Sequence, residues 1–110
     1  MELKELSAKA SDAESFLKAF ANRHRLMILC HLQNGECSVT ALQEAVGLSQ
    51  SAMSQHLARL RADDLVSTRR EAQSIYYSLA SKDVERLIKV LYDMFCASEK
   101  PKKKSPRKTR

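Results

Sequence analysis

Residues 48–79 read LSQSAMSQHLARLRADDLVSTRREAQSIYYSL. Met53, Leu57 and Leu60 recur at i, i+4 and i+7, so in a helix they share one buried face. Ser49 stands where a helix N-cap belongs, its hydroxyl available to the first free amides. The opposite face carries Ser51, Gln55, Ala58 and Arg59, with Ser54 on its shoulder. Short hydrogen-bonding side chains plus an arginine suit base edges and phosphates, although a solvated helix face has the same composition. His56 lies about 60° from the apolar stripe at roughly 100° per residue. That direction serves packing at the core edge and DNA contact equally well.

The residues that follow weigh on the choice between the two readings of that face. Ile75, Tyr77 and Leu79 alternate with Ser74, Tyr76 and Ser78, the periodicity of a strand. Residues 65–70 are the expected partner strand. The tip, Arg69-Arg70-Glu71-Ala72-Gln73, is charged and has no Gly, so a loop longer than two residues is expected. A polar-faced helix followed at once by a basic two-stranded hairpin is the layout of a winged helix-turn-helix. There the helix enters a major groove and the hairpin reaches the neighbouring backbone. The candidate contacts to double-stranded DNA are Ser49, Gln50, Ser51, Ser54, Gln55, His56, Arg59, Arg69, Arg70 and Gln73.

The 110 residues make one small domain, too short for two independent cores. With 44% hydrophobic and 29% charged residues, the chain has enough apolar surface to fold. No apolar run approaches the roughly 20 residues of a membrane span. The start, Met1-Glu2-Leu3-Lys4-Glu5, lacks the pattern of a secretory signal, so a cytoplasmic location is expected. The net charge of +6 is unevenly placed. Residues 100–110, KPKKKSPRKTR, hold seven of the 19 basic groups and no acid, whereas residues 1–99 carry 12 basic and 13 acidic groups. DNA affinity of the body must therefore come from local clusters such as Arg59, Arg61, Arg69 and Arg70. The division expected is a folded domain over residues 1–99 and a disordered basic tail over 100–110. The tail either adds non-specific affinity by counterion release or is a solubilising extension.

Elsewhere the pattern is mainly α. A first helix is expected over about residues 8–21, with Phe16, Leu17 and Phe20 inward. Asn22 can cap a second helix carrying RLMILCHL (25–32), which Asn34-Gly35 ends. Ser38 caps a third, with Val39, Leu42, Ala45 and Val46 inward, and Gly47-Leu48 turn into the polar-faced fourth. Ser81 caps a fifth whose stripe is Val84, Leu87, Ile88, Leu91, Met94 and Phe95. So long a stripe in so small a domain implies a homodimer through the terminal helices. No Gly-rich phosphate loop, paired carboxylates or Ser/His/Asp arrangement points to an enzyme.

RLMILCHL, SQSAMSQHLARLRADDLV (49–66) and TRREAQSIYYSL (68–79) together resemble the ArsR/SmtB family of dimeric winged-helix repressors, over about residues 15–96. Within it, SQSAMSQHL, RREAQ and MFC (94–96) resemble the HlyU/BigR/SqrR-like dithiol subgroup, HlyU most of all. The resemblance implies a DNA-binding regulator on a pseudo-palindromic operator. Some members of the subgroup act at virulence-gene promoters, partly by displacing a silencing protein. Others repress sulfide-detoxification genes and leave DNA when persulfides oxidise their cysteines.

Metal-sensing relatives place a Cys-rich segment where this chain has Glu36-Cys37-Ser38-Val39-Thr40, with a single displaced thiol. Others use a set that matches Ser81, Asp83, Met94 and Ala97 here, of which only Asp83 could ligate. Neither metal site nor any cofactor is expected. Cys30 and Cys96 match the redox pair, and Cys37 matches no role. A free cysteine is more often a small buried hydrophobe. Cys96 departs from that, pointing more than about 100° away from the Val84/Leu91/Phe95 stripe. Cys30, beside Leu29 and His31, lies nearer the core edge. His24 and His31 could tune a thiolate or lie at the surface. Two other readings stand beside a thiol-responsive regulator: an anti-silencer with inert cysteines, and a protein-interaction module built on the same scaffold.

Overall fold

In the computed structural model, which describes residues 2–96, Asn22, Ser38, Ser49 and Ser81 each cap a helix. The Asn22 side chain accepts from the amides of His24 and Arg25, both at 3.0 Å, and opens α2 (Arg23–Leu32). Ser38 accepts from Ala41 N at 3.2 Å and opens α3 (Val39–Val46). Ser49 accepts from Ala52 N at 3.2 Å and opens α4 (Gln50–Ala62), and Ser81 accepts from Val84 N at 3.3 Å and opens α5 (Lys82–Phe95). Each such cap is worth about 0.5–2 kcal/mol, so the four boundaries are set locally. Gly47 closes α3 in the left-handed region, at φ +80°, where a glycine carries no Cβ penalty.

α1 (Leu3–Phe20) begins five residues before the expected start. Residues 3–10, LKELSAKA, are mostly strong helix formers and carry the helix outward without a side-chain cap. At its other end Arg25 donates from Nε to the Ala19 carbonyl at 2.9 Å and from Nη2 to the Lys18 carbonyl at 3.4 Å. A cation on the terminal carbonyls complements the helix dipole and ties α1 to α2.

The wing departs from expectation twice. β2 (Val66–Glu71) pairs antiparallel with β3 (Ser74–Leu79), and Glu71 pairs directly with Ser74. The connection is therefore a two-residue loop, Ala72 and Gln73, and not a longer one. Ala72 takes φ +57°, doing without glycine what the tight turn demands. The sheet also has a third strand, β1 (Cys37–Ser38), in the order β1-β3-β2. Cys37 lies opposite Tyr77 and Ser38 opposite Tyr76. Two residues are too few to show a period.

One core joins all the helices and the root of the wing. Ile28, Leu29, Leu42, Met53, Leu60, Leu65 and Ile88 are its largest fully buried side chains. Phe20 is buried and Phe16 packs beside it, the rings 5.1 Å apart. Two residues expected inward, Leu17 and Ala45, are exposed in the chain by itself, and so are Met94 and Phe95 at the end of the α5 stripe. Leu17 instead joins Leu6, Ala10, Ala13 and Ala21 in an apolar groove along α1, rimmed by Glu14 and Lys18. No helix among the described residues is long and apolar enough to cross a membrane. The basic tail falls outside the described residues.

Candidate nucleic-acid interface and cysteine pair

α3 and α4 with the Gly47-Leu48 turn form a helix-turn-helix whose second helix is anchored from beneath. Met53, Leu57 and Leu60 are buried, each worth about 1.5–3 kcal/mol on full burial. Gln50, Ser51, Ser54, Gln55, Ala58 and Arg59 are all exposed on the same helix. Such a helix presents polar groups from a rigid base. Arg59 donates from Nε to Asp63 at 2.8 Å, an exposed i,i+4 pair that contributes little stability. Between α4 and the wing runs a groove of about 420 Å³ lined by Ser54, Ala58, Arg61 and Ala62 from α4, with Tyr77 from β3.

His56 is half-buried, facing α2. Its ring lies 5.7 Å from that of His24, at 39°. Burial, then Arg25, then His24 hold its pKa below the usual histidine value. The sequence left His24 between a thiolate-tuning and a surface role, because the ring it meets is 32 residues away.

On the wing the two arginines part company. Arg70 is exposed opposite Ile75. Arg69 makes a fork to Glu36, Nε to Oε2 and Nη2 to Oε1, both at 2.8 Å, and donates from Nη1 to Glu71 at 3.0 Å. Its guanidinium also stacks over Tyr76, 5.0 Å from the ring centroid. The hydrogen bonds from Arg69 hold the Glu36 carboxyl below its ordinary value, and Arg69 is raised by Glu36 first and Glu71 second. Glu36 was not a candidate at the sequence level, since nothing local marks a contact across 33 residues.

Two of the three cysteines lie on α2 and at the end of α5, and the third on β1 beside the wing. Cys30, half-buried on α2, opens onto a cleft of about 480 Å³ with Gln33, Asn34, Ile88, Lys89, Tyr92 and Asp93. Cys96, exposed, caps α5 and donates its backbone N–H to the Tyr92 carbonyl at 2.7 Å. Burial pushes the Cys30 thiol up, and charge on Cys96 pushes it further, so the two lie within electrostatic reach. Cys37, on β1, is raised by burial alone. Among the described residues no group of three or more His, Cys, Asp or Glu could hold a metal ion.

A helix-turn-helix with an exposed polar second helix and a basic wing defines the class as winged helix-turn-helix regulators of transcription. Residues 22–68 match the model for the bacterial regulatory protein, arsR family. The transcriptional activator HlyU of Vibrio cholerae serotype O1 is 48% identical over 96 residues, covering 87% of this chain and 89% of that one. The structure of reduced HlyU from V. cholerae N16961 superposes with a TM-score of 0.81 over 86% of this chain and 99% of its own. The homodimeric winged helix-turn-helix DNA-binding domain Mb0332 of Mycobacterium bovis, 33% identical, gives 0.74 over 90% and 89%. The chain belongs to the ArsR family and is a transcriptional regulator, not an enzyme.

Proposed function

We propose that this regulator is a cytoplasmic homodimer that binds a pseudo-palindromic operator through α4 and the wing, and leaves it when reactive sulfur bridges Cys30 to Cys96. Dimerisation is supported by the apolar groove along α1, by exposed Met94 and Phe95 on α5, and by the homodimeric M. bovis relative. In the dimer two copies of α4 must stand about 34 Å apart to enter successive major grooves. Ser49, Gln50, Ser51, Ser54, Gln55 and Arg59 then meet bases and phosphates, His56 lies at the rim of that surface, and Arg70 and Gln73 meet the flanking backbone.

The redox part is supported by placement: Cys30 shares its cleft with Tyr92 and Asp93 of α5, and Cys96 ends that helix with its N–H on the Tyr92 carbonyl. Exposed Cys96 meets the donor first. Its thiolate attacks the outer sulfur of a persulfide R–S–SH, forming Cys96–S–SH and releasing R–S⁻. The Cys30 thiolate, its proton lost to solvent, attacks the Cys96 sulfur and expels HS⁻, leaving a disulfide. The two thiols are oxidised and the donor is reduced to a thiol and sulfide. A second donor can lengthen the persulfide first and so leave a trisulfide, which spans a wider gap than a disulfide with its alpha carbons about 4.4–6.8 Å apart. A bridge between α2 and α5 links the helix beneath α4 to a terminal helix, so a small rotation there changes the spacing of the two recognition helices.

Mass spectrometry of the reduced protein after hydrogen peroxide and, separately, after a persulfide donor tests this, with DNA binding measured on each product. The expected result is a Cys30–Cys96 bridge with weakened binding. Cys30→Ser and Cys96→Ser should bind and not respond, and Cys37→Ser should respond normally. A normal response in Cys96→Ser would end the bridge reading, and no response in the parent protein would leave a regulator with inert cysteines, the reading that the raised Cys30 thiol favours.

A further inference from the structure

The adjacent arginines of β2 leave the sheet on opposite faces. Thr68 pairs with Tyr77 and Arg70 with Ile75, so by strand alternation Arg70 shares the face that Tyr77 turns toward the groove beside α4. Arg69 pairs with Tyr76 and takes the other face. From there it crosses the Tyr76 ring to Glu36, next to β1, whose Ser38 is Tyr76's other neighbour. Arg69 and Tyr76 thus form a row across β2 and β3 that Glu36 closes from just before β1. Every nitrogen of the guanidinium has a carboxylate partner, and two carboxylates around one cation leave the cluster net negative.

We propose that Glu36 is a positioning residue that withdraws Arg69 from the DNA-facing surface, so that each wing offers a phosphate one cation, Arg70, and not two. The proposal rests on the docking of α4 and the wing given above. A phosphate seeking Arg69 must displace a bidentate fork, the strongest geometry available to this side chain, and then meet the charges of Glu36 and Glu71. Arg70 faces the groove without that competition. A doubly basic sequence, Arg69-Arg70, is divided by strand alternation and one distant acid into a strut and a contact.

The test is the salt dependence of binding by the full-length protein to a random-sequence duplex, with thermal unfolding of each variant as a check on folding. Each phosphate contact contributes a slope of about 0.9 in log K against log salt. Arg70→Ala should lower the slope by about that much per wing, and Arg69→Ala should leave it unchanged. Glu36→Ala should free Arg69 and steepen the slope by about 0.9 per wing, and Glu36→Ala/Arg69→Ala should return to the parent slope.

An unchanged slope in Arg70→Ala sinks the docking reading and this proposal with it. If Arg70→Ala behaves as expected but Arg69→Ala loses a contact, only the withdrawal of Arg69 is overturned. Steepening that survives in the double variant also overturns it, because removal of an acidic charge would then suffice.

Discussion

The centre of this molecule and its two ends follow different rules of burial. From α2 to β2 the large apolar side chains are mostly covered by the chain itself, and what faces out is polar or charged. At the ends the reverse holds: Leu3, Leu17, Met94 and Phe95 are 77%, 55%, 64% and 72% exposed. Apolar exposure concentrated on the terminal helices marks a half-interface, whereas a polar exposed face over a sealed core marks a surface built for a charged ligand. Periodicity alone shows both as amphipathic helices.

The strongest way to break this comparison is to make the same kind of cut in each region. Leu60→Ala, in the sealed half, should cost about 2–5 kcal/mol at any protein concentration, read by denaturant unfolding. Leu17→Ala with Phe95→Ala should cost stability only where dimers are populated, so its unfolding midpoint should converge with the parent's on dilution. A concentration-independent loss would mean that these side chains already serve a monomer core. Next in size, Gln55→Ala should reduce discrimination between operator and random duplex by about 1–3 kcal/mol, read by competition binding. Equal losses on both would move Gln55 to a backbone-positioning role.

Those contrasts also mark how far the residues alone could be read. Ser38, Ser49, Ser81 and Asn22 each announce a helix start through their own side chains, and the structure bears out all four. Met53, Leu57 and Leu60 announce a buried face, and they are buried. The winged arrangement was legible because its signals are local. Periodicity identifies the face that needs burial but not the molecule that supplies it, so Leu17 reads as inward, whereas only the length of the α5 stripe points Met94 and Phe95 toward a second copy. β1 was too short for any pattern. The fork between Arg69 and Glu36 and the ring pair of His24 and His56 depend on tertiary distance, which no spacing encodes. Lacking Gly, the tip read as a longer loop, yet the register of the flanking strands forces a two-residue turn on Ala72.

That turn yields a smaller test on the polar half. Ala72→Gly should stabilise the protein by about 1 kcal/mol, because glycine takes positive φ without the Cβ penalty. No gain in thermal or denaturant unfolding would mean that Ala72 is relaxed there. Smallest is an acid effect at the seam between α2 and α4. His56 has its folded pKa depressed, so the neutral ring belongs to the native state. Its contribution is fully present above the unfolded value, about 6.5, and is lost as pH falls from there toward the folded pKa. His56→Gln should flatten that part of the stability–pH curve, and an unaltered curve would assign the acid sensitivity elsewhere.

The short strand β1 also bears on the order in which the chain assembles. The wing's own hairpin closes across two residues, and α4 sits next to it in sequence, so both can form early at little entropic cost. Cys37 must wait for Tyr77, and Glu36 for Arg69, before the third strand and its fork exist. Closing so long a loop is slow relative to a hairpin and is rewarded by only two paired residues. On that ordering the hairpin, rooted in the core through Val66 and Leu79, should form before β1 and the Glu36 fork close on it. The same seam should be the first to reopen when the native protein breathes.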